Sequence, residues 1–268
     1  MTAPATIAID AGAQGLIGDA LCAVPFMRFL CERHKTRAYV HGGFNEAVRP
    51  LLGHEHFVFA NPSTKVVASY KLDLDAAWHL DEKQGWRWHM SQIYFEHAGV
   101  TPPPLPMLYA MHATTSWRLP GIVLTPFSRT NSPDNNKLWP HDRWIAVLRR
   151  LIKREASPRA YIVGAEDDDM TPYLGHDDLI PFVGHPLPEV LGLLRDAPIV
   201  LGLDNGISHL CHFGGIRNHV EIYADCLPPH LAENPMGVMV RGPMPIDITV
   251  EQVLAATQKI LPATRGMA

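Results

Sequence analysis

Val200-Leu-Gly-Leu-Asp-Asn-Gly-Ile-Ser-His-Leu-Cys-His-Phe-Gly-Gly215 is the stretch that decides the fold. An apolar run ends at Leu203, Asp204-Asn205-Gly206 breaks it, and Ser208-His209 open a second apolar stretch that stops at Gly214-Gly215. That order reads as a buried strand, a tight turn and a short helix. An acid, an amide, a glycine, a hydroxyl and an imidazole therefore stand together where a strand hands over to a helix.

Working outward, residues 121–125, 160–163, 199–203, 220–223 and 238–240 are short apolar runs with helical patterns between them. One pattern starts at Pro140, a residue favoured in the first helical turn, and carries Trp144, Val147, Leu148, Leu151 and Ile152. Another carries Leu187, Val190, Leu191 and Leu194, and the last, 250–261, is announced by Thr249 with Gln252 at capping-box spacing. Strands alternating with helices imply βαβ units and a mostly parallel sheet.

The first half is less regular. A β-prone run over 6–9 leads through a glycine-rich turn to Gly18 and a helical pattern carrying Leu21, Val24, Met27, Phe29 and Leu30. Residues 37–40 and 56–59 look like strands, whereas Leu72, Leu74 and Ala76 alternate with polar residues and 92–97 looks helical. Thr101-Pro-Pro-Pro-Leu-Pro106 has the composition of an extended linker, which places the domain boundary shortly after it and gives 1–115 and 116–268. Open α/β sheets bind ligands beyond the carboxyl ends of their strands, so two such halves facing each other would enclose a cleft.

The 268 residues are 47% hydrophobic and 19% charged, enough for a packed core, and the formal charge of −4 argues against nucleic acid as a partner. Cys22, Cys31, Cys211 and Cys226 lack CxxC spacing and read as buried free thiols of a reducing compartment. The start MTAPATIAID lacks a signal-peptide pattern, and no apolar run reaches the roughly 20 residues of a membrane span. A cytoplasmic protein is expected.

Four places could carry chemistry. At Asp204-Asn-Gly-Ile-Ser-His209, helix amides and the helix dipole suit a phosphate, and equally Asp204 or Asn205 could simply cap the helix. The segment from Thr125 to Pro140 follows a strand and precedes a helix. It is long for a βα connection of roughly 2–6 residues and holds Ser128, Arg129, Thr130 and Lys137, a set suited to a diphosphate. Asp19, after Gly15-Leu-Ile-Gly18, could be a general base or an N-cap. The run Val163-Gly-Ala-Glu-Asp-Asp-Asp169 reads best as a solvated helix start, with Glu166 as a candidate ribose or base contact. His209 and His212 lack partners for a metal site, and no GxSxG elbow supports a serine hydrolase. The absence of GxGxxG counts against a nicotinamide-dinucleotide oxidoreductase.

Taken in order, these segments resemble glycosyltransferase family 9, the heptosyltransferase-like family. Gly18-Asp19-Ala-Leu-Cys-Ala-Val-Pro25 is similar to its N-terminal GD…P element. Val123-Leu-Thr-Pro-Phe-Ser128 with Lys137-Leu-Trp-Pro140 is similar to its PG-S…K-WP element, and Asp204–His209 to its D-[ST]-G-x-x-H element. The similarity covers nearly all of 120–262 and, more weakly, 5–35 and 88–99. It implies a GT-B-like α/β architecture of two Rossmann-like domains facing a cleft, with a reduced N-terminal acceptor domain (1–115) and a C-terminal nucleotide-sugar domain (116–268). It also implies inverting transfer of a sugar, such as a heptose, from a nucleotide-diphosphate donor, without metal or other cofactor. Asp19 would be the base. Ser128, Arg129, Lys137, Asp204, Asn205, Gly206 and His209 would hold the diphosphate, and Gly164 and Glu166 the nucleoside. The acceptor would be a glycan, a lipid-linked sugar or a protein, and a lipid acceptor would bring a peripheral contact with the inner membrane. The chain departs from the pattern at Asn205, where the family has serine or threonine, in the long loop 129–136, and in its short first half. Those departures motivate an alternative, a sugar-nucleotide-binding protein without transferase activity.

Overall fold

The computed structural model describes residues 7–12, 16–59, 69–114, 121–128, 137–155, 159–225 and 234–265. Arg129, the rest of the loop to 136, and Cys226 lie outside them. The chain divides after His112 into two compact units.

The first unit holds β1 (Ile7–Asp10), α1 (Ile17–His34), β2 (Ala38–His41), β3 (Phe57–Phe59), β4 (Tyr70–Lys71), α2 (Leu74–Lys83) and α3 (Met90–His97). Its four strands pair in parallel in the order β3-β2-β1-β4. Leu72, Leu74 and Ala76, which alternate with polar residues in the sequence, stand at the entry into α2. Asp73 caps that helix of ten residues by accepting the N–H of Ala76 at 3.0 Å. The proline-rich segment is no free linker. Pro103 accepts Gln92 Nε2 at 2.7 Å, the Tyr109 hydroxyl donates to Leu21 O, and Met107, Tyr109 and Met111 are buried at alternate positions. An extended strand-like ribbon with one buried face explains the pattern better than its prolines do.

The second unit holds β5 (Ile122–Thr125), α4 (His141–Glu155), β6 (Ala160–Gly164), β7 (Leu179–Val183), α5 (Leu187–Asp196), β8 (Val200–Leu203), α6 (Gly206–Gly214), β9 (His219–Ala224), β10 (Val238–Gly242) and α7 (Val250–Arg265). Its sheet is parallel throughout the described residues, in the order β10-β9-β8-β5-β6-β7. This is a doubly wound sheet whose strand order reverses between β5 and β8, and a ligand crevice is expected outside the carboxyl ends of those two strands. Strand β7 escaped the sequence reading because Pro181 interrupts it. The strand lies at the sheet edge, where a missing N–H costs no ladder bond.

Buried Trp144, Val147, Leu148 and Leu151 join Ile122, Leu124, Val220, Ile222, Val253 and Ala256 in one core beneath α4 and α7. Trp139 closes it, edge-on to Trp144 with ring centroids 4.5 Å apart and its indole N–H donating to Ile248 O at 2.9 Å. Each fully buried aromatic of this kind contributes on the order of 3 kcal/mol through removed apolar surface. That packing fixes Lys137 two residues before Trp139. Cys22, Cys31 and Cys211 are buried and in no disulfide.

Candidate functional site

The carboxyl edge of the six-stranded sheet brings three of the singled-out segments together. Strand β8 ends at Leu203, and the next two residues turn the chain into α6. Asn205 is the N-cap. Its Oδ1 accepts the N–H groups of Ile207 at 2.8 Å and Ser208 at 3.1 Å, while the Ser208 hydroxyl donates to Asn205 O at 2.8 Å. The same side chain reaches across the crevice, its Nδ2 donating to Thr125 O at 3.2 Å and Phe127 O at 2.9 Å. The exit of β5 and the start of α6 are thus joined at the point where the strand order reverses.

Lys137 enters the same place from the N-terminal side of α4. Its Nζ lies 2.6 Å from Asp204 Oδ2, with the two side chains only 14% and 8% exposed. With both partners buried, removing either one would leave a desolvated charge, while the ammonium keeps two further N–H donors beyond the one directed at Asp204. His209, on the first turn of α6, is buried beside them. Burial lowers its pKa to about 4, against the charge of Asp204, which raises it, and with that of Lys137, which lowers it. The ring is neutral at pH 7 and offers one N–H and one acceptor nitrogen.

Phe127 locks the β5 exit on its other side. A Cβ on Gly164 would stand 3.0 Å from the Phe127 ring, so glycine at the end of β6 is what lets the ring lie there. Phe127 also meets Tyr173 edge-on at 6.2 Å and His141 at 5.9 Å. Ser128 follows directly and is half-buried. Glu166 is exposed, with its side chain against Gly184, whose φ of +68° and lack of Cβ accommodate it. The acidic run itself is a turn and no helix start. Asp168 Oδ2 accepts Ala165 N at 2.7 Å, and Asp169 Oδ1 accepts Thr171 N at 2.9 Å. Short Asp side chains favour such local bonds over helix continuation.

In chemical terms, this edge presents a lysine ammonium, a neutral imidazole, a serine hydroxyl and the positive end of a helix, which suits an anion with several oxygens. Asn205's cap holds the amides of Ile207 and Ser208 and leaves Gly206 N–H, at the first helical position, outside it.

In comparisons with known proteins, no sequence-family profile and no curated protein matches the chain. Solved structures do. A family 9 glycosyl transferase from Veillonella parvula superposes with a TM-score of 0.67 at 12% identity, over 96% of this chain and 97% of that one. The E. coli ADP-heptose LPS heptosyltransferase II gives 0.63 at 15% over 97% and 100%, and E. coli heptosyltransferase WaaC with ADP gives 0.65 at 14% over 94% and 99%. The chain has the fold of the family 9 glycosyltransferases. It is GT-B-like, two parallel-sheet α/β units, with the first reduced to four strands among the described residues.

Within that fold Asp19 lies in the other unit, half-buried in the first turn of α1. It is not the N-cap: that position is Leu16, so Asp19 stands three residues into the helix. Asp204, Asn205, Gly206, His209, Lys137 and Ser128 gather at the β5 and β8 exits, and Gly164 and Glu166 at the β6 exit. Sequence reasoning missed the layer beneath α6. Glu221 and His219 alternate along β9 with the core residues Val220 and Ile222 and are buried. Asn234 fastens them: its N–H reaches Glu221 Oε2 at 3.5 Å, and its Nδ2 lies 3.3 Å from His219 Nδ1 and donates to Ile216 O at 3.1 Å. Burial first, and then the charge of Asp204, push Glu221 up to about 8. The signal was an acid inside the run His219-Val-Glu-Ile-Tyr223, too apolar in its surroundings for a solvated carboxylate. Among the described residues, no helix is long and apolar enough to cross a membrane, and no three His, Cys, Asp or Glu side chains are grouped to hold a metal.

Proposed function

We propose that the protein is a glycosyltransferase whose six-stranded unit holds a nucleotide-diphosphate sugar. The observation that carries the reading is the buried Lys137–Asp204 pair at the reversal point of the sheet, beside the start of α6. Similarity in fold to heptosyltransferases solved with ADP, or named for ADP-heptose, favours an ADP-sugar, and a heptose is the first sugar to try. Lys137, Ser128, Gly206 N–H and His209 would meet the diphosphate, and Gly164 and Glu166 the nucleoside.

In the reaction, Asp19 takes the proton of an acceptor hydroxyl, whose oxygen attacks the anomeric carbon opposite the diphosphate. The bond from that carbon to the phosphate oxygen breaks, the electron pair leaves with the diphosphate, and the configuration inverts. Negative charge grows on the leaving group, so preorganised cations and N–H donors are where transition-state stabilisation is needed. Lys137 and the α6 terminus supply this without a metal. The acceptor is a glycan, lipid-linked or protein hydroxyl, and the site of action is cytoplasmic.

The test is thermal unfolding with ADP, UDP, GDP and CMP, each with and without EDTA, followed by ADP release from ADP-heptose. Stabilisation by ADP that EDTA leaves intact is expected, since a ligand at 100 times its Kd adds about 2.7 kcal/mol. Asp19→Ala should bind ADP as before and lose turnover. Failure of every nucleotide to stabilise the protein would overturn the reading. Tight ADP binding with no turnover on any acceptor would favour a binding protein.

A further inference from the structure

Asn205 spends its whole side chain on the backbone. Oδ1 takes two N–H groups of α6 (2.8 and 3.1 Å) and Nδ2 gives its two hydrogens to Thr125 O and Phe127 O (3.2 and 2.9 Å). Only one orientation of the amide satisfies all four, because donors stand on one side and acceptors on the other. No hydrogen is left for a phosphate oxygen, so the expected role of Asn205 as a diphosphate ligand does not fit. Its partners are telling. Phe127 is the residue before Ser128, and Ile207 and Ser208 lead into His209. Phe127 is also held from behind by Gly164, His141 and Tyr173.

We propose that Asn205 is a positioning residue, a brace that fixes the β5 exit to the start of α6 so that Ser128 and His209 form one preformed diphosphate surface. This rests on the nucleotide-diphosphate reading above and adds to it the device that sets the spacing of the site. The side chain is specific for the task. Aspartate keeps the cap and lacks the donors, while serine keeps a cap and is too short to span to Thr125 and Phe127.

Three variants separate the two halves. Asn205→Asp and Asn205→Ser retain the cap and lose the brace, whereas Asn205→Ala loses both. Without nucleotide, the carbonyl 13C shifts of Thr125 and Phe127 should move in both the Asp and Ser variants, because those two oxygens are the acceptors of the lost bonds. Ile207 and Ser208 N–H protection should fall only in the Ala variant. ADP affinity by calorimetry should fall about tenfold in both Asp and Ser variants. Unchanged Thr125 and Phe127 carbonyl shifts in the Asp and Ser variants overturn the brace, whatever happens to ADP. Weakened ADP in Asp alone also overturns it, since that is charge repulsion. If the parent protein binds no ADP, the nucleotide reading fails, and the carbonyl shifts still decide whether the brace exists.

Discussion

Lys137 and Asp204 are 67 positions apart in the chain and 2.6 Å apart in space. A buried pair of this kind adds little net stability relative to an apolar substitute, but losing one partner strands the other. Lys137→Met should therefore lower unfolding free energy by about 3–5 kcal/mol in urea titration at pH 7, and adding Asp204→Asn should recover most of it. Equal losses in the single and double variants would mean that the pair is not coupled. Glu221 makes a second prediction at this scale. Its carboxyl is raised from 4.5 to about 8 in the folded protein, so the fold holds a proton that the unfolded chain releases. Its contribution is fully present below pH 4.5 and lost as pH climbs through 8. Glu221→Gln should match the parent near pH 5 and melt above it at pH 8.5; no gain at pH 8.5 would exclude a buried, proton-holding Glu221. The sequence displayed both residues openly. Lys137 could be singled out by its place between a strand and a helix, while Glu221 could not, because nothing local says which face of β9 meets α6.

Among the elements, α6 was legible because its apolar run and its Asn cap agree, and local and tertiary preferences point the same way. Helix α2 was not, because its Asp73 cap and half-exposed face give a weak 3.6-residue pattern over only ten residues. The turn at Gly184, which follows β7, offers a test of a similar local choice. Its φ is +68°, and a Cβ would stand 2.6 Å from Glu166 Cγ. Gly184→Ala should cost roughly 1–2 kcal/mol for the left-handed backbone, plus a smaller share for displacing a flexible side chain. Adding Glu166→Ala should restore only that smaller share in chemical denaturation; full restoration would show that the backbone is not strained there.

For the molecule as a whole, the second unit carries three buried histidines. Burial lowers His209 and His219 to about 4; His212 is lowered to about 3, by burial first and then by the charge of His209. Unfolded histidines take protons near pH 6.5, and the folded ones refuse them, so stability is full above that pH and drains away as pH falls toward 4. The unfolding midpoint should drop across that window with up to two protons taken up net on unfolding, three by the histidines less the one that Glu221 releases, measured by calorimetry over a pH series. A flat midpoint between pH 6.5 and 4.5 would mean that the imidazoles are solvated. Glu221 acts in the opposite direction between pH 4.5 and 8; with three histidines set against one carboxyl, stability rises to about pH 6.5 and declines above it.

The sequence by itself determined the βα rhythm of the second half, the junction at Asp204–His209 and the polar segment ending at Lys137. Strand alternation, cap chemistry and loop length are local properties that need no partner to be read. Only the tertiary structure decided that the exits of β5 and β8 are neighbours, that Asn205 is consumed in joining them, and that Lys137 faces Asp204. Strand order in a parallel sheet is set by crossovers that pack helices on both faces, and no single segment records which strand will lie beside it.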